Sequence, residues 1–490
     1  MLVKLGPLDA GRIADLRLYF DSVPDPRSRR GRWYSLTSVL LVCACAVVSG
    51  ARSIDELAEW GQRASHALLT VIGIRRHVLG WRRTPSPATI GRVLGAVDGD
   101  ALDRAVGAYL ADRHRAATEL AQAPSPSASG RPRVIAVDGK ALRGSARLTA
   151  TRRHLLSAVT HGTVVTLAQV EVGAKTNETT HFQPLLAPLD LAGTVVTFDA
   201  LHSVKANISW LVETKNAHYI TVIKTNQPTT HHQLATLPWR DIPVQHTASA
   251  SGHGRRESRS IKTCGIADQL GGIAFPHARL AIRVHRRRKQ TGKRETRESV
   301  YAVTSLDAHQ AGPADLATAI RGHWGVENSS HHIRDVTFAE DASTVHAGTT
   351  PRAMATLRNL AIGVLKTLGA DNIAKTTRRS ATNPNEHSPS WASPTIRTPT
   401  ELDQALDVTR LREIHVDLDH AVMAAYGWDD VRLDHGFHTY RQMQRWTVSP
   451  AARVEILDRL LEENHRRAAS QGVVSPAGNN GGTEDEEDDE

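Results

Sequence analysis

Short apolar runs and helical periodicities alternate along this chain and divide it into distinct stretches. Over residues 1–120 apolar positions recur at helical spacing, as in IDELAEW (54–60) and again over 101–110. The run LTSVLLVCACAVV (36–48) is predominantly apolar. A bilayer span needs roughly 20 such residues, so this run predicts a buried helix. After residue 133 the period changes. VIAV (134–137) and TVVTF (194–198) are continuous apolar runs, as expected of strands buried on both faces. The β-rich runs 154–160 and 164–172 meet at His161-Gly162-Thr163, which predicts a hairpin. Helices are expected near 179–189, where Pro184 and Pro188 blur the limits, and over 204–214. HYITVI (218–223) reads as a further strand. Residues 225–298 are polar and then strongly basic, with strands expected at 279–284 and 299–304 around RRRKQTGKRETR (286–297). Helix resumes over 314–334 and 351–368, and Pro313 and Pro351 sit where a first helical turn tolerates proline.

This order predicts an α/β domain built on a central sheet. AQAPSPSASGRPR (121–133) and ATNPNEHSPSWASPTIRTPT (381–400) read as linkers. The expected organisation is therefore a helical domain (1–120), a linker (121–133), an α/β domain (134–375) with an insertion at about 225–310, a linker (376–400), a helical appendage (401–470) and a disordered acidic tail (471–490).

Charge changes the picture in one respect. The 490 residues carry a formal net charge of +9 although the last seven are all acidic, so the body is basic and suits a polyanionic partner. An arginine-rich surface with no such partner fits the charge alone equally well. Three cysteines, Cys43, Cys45 and Cys264, form no CxxC pair, which argues for a reducing, cytoplasmic setting and against a cysteine zinc site. The N-terminus lacks the basic-then-apolar order of a signal peptide, and no membrane association is expected.

Three acids carry the candidate chemistry. Asp138 follows directly on VIAV, Asp199 directly on VVTF, and Glu327 lies on the helix after the basic insertion. Together they form an oxygen-only set of the kind that hard cations such as magnesium prefer. Two such ions about 4 Å apart polarise an attacking oxygen and stabilise a leaving one in phosphodiester chemistry. Taken singly, each aspartate also suits a turn or a helix N-cap.

AVDGKALRGS (136–145), FDALHS (198–203) and IRGHWGVENSSHHIRDVTFAED (320–341) resemble the three signature segments of DDE transposases from bacterial insertion sequences, in the branch related to H-repeat-associated proteins. The resemblance covers about residues 18–375, since LYFDSVPDPRSRRGRWYSLTSVL (18–40) is similar to that branch's transposase-associated domain. It implies a ribonuclease-H-like catalytic domain with a β-rich insertion, preceded by the helical domain. It makes Asp138, Asp199 and Glu327 the catalytic metal ligands, holding two Mg2+ ions that Mn2+ can replace. The implied reaction is hydrolysis of a phosphodiester at the element's end, followed by in-line attack of the freed 3′-hydroxyl on target DNA. The implied partners are double-stranded DNA, as terminal inverted repeats and target, and a second copy of the chain in a homodimeric DNA complex. Two other readings stay open: a ribonuclease-H-like nuclease without strand transfer, and an inactive or domesticated DNA-binding protein.

Related transposases carry a Tyr-Arg-Glu-Lys signature around the glutamate. Here those positions hold Ile320, His323, Glu327 and Arg334, so only the acid and a final basic residue match. His323 and Arg334 are expected as DNA contacts, together with Lys140, Arg143 and His202 near the two aspartates. His331 and His332 read as solvated or DNA-facing rather than metal-binding, and Trp324 as core. Asp335, Glu340 and Asp341 suit either support of the site or surface and capping roles. The run 286–297 reads as a solvated hairpin tip that contacts DNA backbone in a DNA enzyme. Recognition of element ends is expected from the N-terminal helices, where Arg27, Arg29, Arg30 and Arg32 cluster and Arg75 and Arg76 pair.

The last stretch differs. LREIHVDLDHAVMAAYGWDD and AARVEILDRLLEENHRR resemble the C-terminal end of restriction-type DNA methyltransferases, but no Asn-Pro-Pro-Tyr motif occurs in the chain, so no methyl transfer is expected. A transposase frame that reads through the element's end into a host gene would produce this arrangement.

Overall fold

The computed structural model describes residues 10–29, 32–74, 84–121, 132–146, 152–173, 178–252, 254–266, 272–382, 406–440 and 443–470. Arg30, Arg75, Arg76, most of both expected linkers and the acidic tail lie outside the described residues. The chain forms two units, Met1–Ala392 and Ser393–Glu490.

In the first unit, six helices come first: α1 (Ala10–Phe20), α2 (Leu36–Val48), α3 (Ile54–Arg63), α4 (His66–Ile72), α5 (Pro87–Ala96) and α6 (Gly99–Ala121). Helix α2 is the apolar run of the sequence, and all its residues are buried. Ser35 caps it by accepting from the Ser38 amide at 3.0 Å, which satisfies one of the orphan donors of the first turn. These helices enclose their core together with α11 (Thr350–Thr367), a helix buried from Thr350 to Leu365. Asp103 of α6 ties the assembly together, accepting from Arg352 Nε of α11 at 2.8 Å and from Gln169 at 3.0 Å.

The sheet has nine strands: β1 (Val134–Leu142), β2 (Arg153–Thr160), β3 (Thr166–Val172), β4 (Val195–Phe198), β5 (His218–Ile223), β6 (His246–Gly252), β7 (Arg255–Gly265), β8 (Leu280–Gln290) and β9 (Thr296–Thr304). Their order is β3-β2-β1-β4-β5-β9-β8-β7-β6. The pairs β1–β4 and β4–β5 are parallel and all others antiparallel. The short run VVTF is buried along its whole length at the centre, as a strand covered on both faces must be. Helices α7 (Glu178–Leu186), α8 (Lys205–Glu213) and α9 (Pro228–Ala235) carry the chain between strands, and α10 (Pro313–Val326) packs on β1, β4, β6 and β7.

Four sequence expectations change here. Strand β1 does not stop at Val137 but runs to Leu142, because β2 pairs with it down to Leu142↔Arg153. The polar stretch after residue 225 contributes four strands rather than two. HTASASG and RRESRSIKTCG lack an apolar period because pairing, of β6 with β7 and of β7 with β8, rather than burial makes them strands. The strands of this insertion extend the central sheet itself. Helix α10 ends at Val326 and continues in π-helical turns, Glu327–His331 and Ile333–Thr337, a wider winding often found at functional sites. A further helix, α12 (Ile373–Thr382), follows where the sequence suggested linker.

The second unit holds α13 (Leu406–Tyr426), a hairpin of β10 (Gly436–Tyr440) and β11 (Met443–Thr447), and α14 (Pro450–Ser470). The hairpin is an addition to the expected pair of helices. Arg412 lies over the rings of Phe437 and Trp446 at 4.9 and 4.7 Å, and Met423, Val431, Leu433 and Ala452 form a small core. No helix among the described residues is long and apolar enough to cross a membrane.

Candidate active site

The parallel register of β1 and β4 sets the site. Ala136 pairs with Thr197 and Val137 with Phe198, and there the ladder ends. The next residues are Asp138 and Asp199. Side chains alternate along a strand, so both acids share the face of Ala136 and Thr197, on neighbouring strands about 4.8 Å apart. That is the face α10 covers, and Glu327 stands at the end of α10. The three acids line one cleft of about 390 Å³ with Lys224, Ile320, His323, Trp324 and His331.

The electrostatics follow from this crowding. Burial pushes the Asp138 carboxyl up to about 6; the Gly139 amide opposes this, while the charges of Glu327, Asp199 and Glu178 add to it. For Asp199 burial also acts upward, but the Ala200 amide, bonded at 2.6 Å, and Lys224, at 3.1 Å, hold it below the usual carboxylate value. Like charges facing one small space favour a bound cation, and the donors are all carboxylate oxygens, so the acids suit hard divalent ions. Among the described residues, no group of three or more histidine, cysteine or acidic side chains forms a ready metal cage.

Neutral imidazoles line the rest. His161 Nε2 lies 3.0 Å and His323 Nδ1 3.2 Å from Thr197 Oγ1, and burial lowers both rings to about 4. His331 is lowered to about 3 by burial, then by Arg334 and Lys140, with Nδ1 3.7 Å from Asp138 Oδ2.

The expected DNA contacts divide. Arg143 is 70% exposed, 3.6 Å from Asp341, and free to reach outward. His323 lines the cleft. Lys140 is buried and donates to both oxygens of Asp335 at 2.8 and 2.7 Å. His202 is buried against Phe182, with Nε2 3.2 Å from Glu178, whose other oxygen is 2.9 Å from His154. Arg334 is 1% exposed and lies in the core between Glu340 and Asn359; Glu340 also binds Arg358 at 3.1 Å. The π-helical turns rotate Arg334 away from the face of Glu327, so the structure places it as a core ion pair and not at the surface. Trp324, expected in the core, is exposed at the cleft, because Leu316, Ala319 and Val326 occupy the inward face of α10. Of the N-terminal arginines, Arg27 and Arg32 both pair with Asp25.

Sequence reading passed over Lys224, His161 and Glu178. Lys224 directly follows the strand HYITVI, the same strand-end position that singled out both aspartates, so a signal for it existed. His161 and Glu178 reach the site only through packing.

Residues 129–363 match the family model described as the transposase DDE domain, and residues 18–110 the one described as DDE_Tnp_1-associated. The chain belongs to the bacterial DDE transposases of the H-repeat branch, and its role is that of a transposase. Among its relatives, the protein named "Putative transposase YncI" of Escherichia coli O157:H7 is 27% identical over 369 residues, covering 72% of this chain and 88% of that protein. The "H repeat-associated putative transposase YhhI" of Escherichia coli K12 is 26% identical over 355 residues, covering 70% and 88%. A solved piggyBac transposase synaptic complex with hairpin DNA aligns at 10% identity and a TM-score of 0.35, over 80% of this chain and 83% of that one.

Proposed function

We propose that this chain cuts DNA at the ends of a mobile element and joins the freed 3′-hydroxyls to target DNA, with Asp138, Asp199 and Glu327 as the catalytic carboxylates. The observation that carries this reading is the matched position of Asp138 and Asp199 past the β1–β4 ladder, on the sheet face that α10 and Glu327 cover. The strand order β3-β2-β1-β4-β5, antiparallel and then parallel, supports a ribonuclease-H-like domain extended by the four strands of the insertion.

The three carboxylates would hold two Mg2+ ions, which when bound supply activation of the attacking oxygen and charge relief for the leaving one. The remaining roles belong to side chains. Lys224 neutralises Asp199 from one side and leaves the acid's outer oxygen toward the cleft. His323 and His161, both neutral, hold Thr197 beneath the acids and add no positive charge to the cleft. Lys140, locked to Asp335, ties the strand bearing Asp138 to the turns that follow Glu327. Arg143 and His323 are the contacts within reach of the DNA backbone. Double-stranded DNA is thus the partner, with the N-terminal helices contributing end recognition and two copies of the chain pairing the two ends.

The test is incubation of the purified chain with labelled duplexes carrying the DNA sequences that flank its gene, with magnesium or manganese, scoring nicked and joined products. Glu327→Gln should abolish both products and leave end binding intact. Retained cleavage would remove Glu327 from the mechanism, and nicking without joining would reduce the activity to that of a nuclease.

A further inference from the structure

A second charged cluster lies on the same face of the sheet as the acids. Tracing the register across β5, β9, β8 and β7 places Ile220, Ala302, Ile282, Val284 and Ile261 on the face of Asp138 and Asp199. Beyond Ile261 the same face carries Arg259, Glu257 and Arg255 on β7, with Arg286 and Arg288 opposite on β8. Glu257 is 7% exposed and lies beneath three guanidinium groups. Arg286 Nε donates to it at 2.5 Å, and Arg255 and Arg259 bind it as well. Each of these arginines remains about a third exposed. A guanidinium has five N–H donors, so one shared carboxylate orients the three groups and leaves most donors facing solvent.

The cluster has a surplus of positive charge. Glu298, 3.9 Å from Arg286, is a second acid at the cluster, so Glu257 and Glu298 meet four strand arginines. Arg321 adds a fifth. It is exposed on α10, six residues before Glu327 and so about 9 Å along the helix. Burial lowers the Arg259 pKa, and Arg286, Arg321 and Arg255 lower it further against the pull of Glu257, so these cations crowd one another. Opposite Arg259, Glu257 and Arg255 the neighbouring strand β6 presents Ala248, Ala250 and Gly252, with His246 farther along beside Ile261, which leaves the guanidinium groups uncovered by that strand.

We propose that Arg255, Arg259, Arg286 and Arg321 form a clamp for the DNA phosphate backbone, beside the three acids on the same sheet face. The proposal rests on the reading of this chain as a DNA enzyme and adds to it a second place where the substrate is held. From β4 to β8 is three strand intervals, about 14 Å across the sheet. That is on the order of four phosphates of one strand at about 3.4 Å each, so the clamp grips several nucleotides from the cut. Contacts of this kind position DNA and carry no sequence preference.

The experiment is the salt dependence of binding of the full chain to a short labelled duplex of arbitrary sequence. Removing one phosphate contact should reduce the slope of log K against log salt by about 0.9, so Arg321→Gln should show that change and Arg255→Gln with Arg321→Gln about twice it. Affinity at low salt should fall by up to about fivefold per contact, the range of an exposed ion pair. Arg240→Gln, an equal charge change at another exposed site, should leave the slope as in the wild type. Arg321 has no ion-pair partner among the described residues, so its variant should keep the wild-type unfolding midpoint. A wild-type slope and affinity in both clamp variants would overturn the clamp alone. A wild-type chain that binds no duplex would overturn the DNA-enzyme reading and the clamp with it.

Discussion

Asp138 and Asp199 occupy matching positions, each one residue past the rung Val137↔Phe198 that ends the pairing of β1 with β4. Strand β1 continues to Leu142 while β4 stops at Phe198, so the sheet opens between them and the cleft begins there. The acids thus stand side by side because one strand outruns its parallel neighbour.

If these acids carry the reaction, Asp138→Asn and Asp199→Asn should each lower metal-dependent nicking by about 10³-fold, the several kcal/mol that metal-held charge stabilisation contributes. Binding of the duplex should be unchanged or tighter, since each change removes a negative charge from the cleft. Nicking within tenfold of wild type in either variant would exclude that residue.

Glu340 sits between Arg334 and Arg358, all three buried. Removing the shared acid strands two guanidinium groups away from water, so Glu340→Ala should cost about 3–5 kcal/mol of stability. Urea unfolding measures this. Arg334→Gln should likewise lower stability without altering the salt slope of DNA binding, and a reduced slope at full stability would return Arg334 to the DNA surface.

Hydrogen bonds from His154 and His202 hold the Glu178 carboxyl at about 2, below its ordinary 4.5. A depressed acid favours the folded state above its unfolded pKa. Its contribution is therefore complete above about pH 4.5 and disappears as pH falls through about 2. His154 is raised by the same bond, so its share has the opposite sense, present below its ordinary 6.5 and lost as pH rises past its folded value. Glu178→Gln should unfold more readily than wild type near pH 5, with the difference shrinking toward pH 2. A difference that stays constant with pH would mean that the bonds carry no charge.

At Gly107 of α6 an added Cβ would run into the backbone carbonyl of Leu167, just inside β3. Backbone on both sides cannot give way, so Gly107→Ala should destabilise by about 1–3 kcal/mol. Because α6 and the sheet share that contact, a single cooperative transition should shift as a whole. Separate melting of the helical part would show that it holds together without the sheet.

Much of this protein could be read from residue order alone, where local period and burial coincide. VVTF, HYITVI and the run 36–48 are mostly apolar because each element is largely buried, and that pattern needs no knowledge of neighbours. The two aspartates stood out for the same reason, as charges directly after buried runs, and the HWGVEN segment marked Glu327. Other features depended on pairing and packing. Strands β6 and β7 have no apolar period, since they become strands by bonding, β7 to β8 and β6 to β7, and lie at the edge of the sheet. Arg334, adjacent in sequence to residues that line the cleft, looks like a surface cation until Glu340 and Asn359 close around it. Lys140 and His202 changed in meaning in the same way, because the partner that decides each of them, Asp335 and Glu178, lies at a distance along the chain. The sequence by itself determined which residues are apolar enough to build the sheet and which acids stand at its open end. Only the tertiary structure decided which charges face the cleft and which are neutralised in the core, because a charge's role depends on the counter-charge and solvent that folding places beside it.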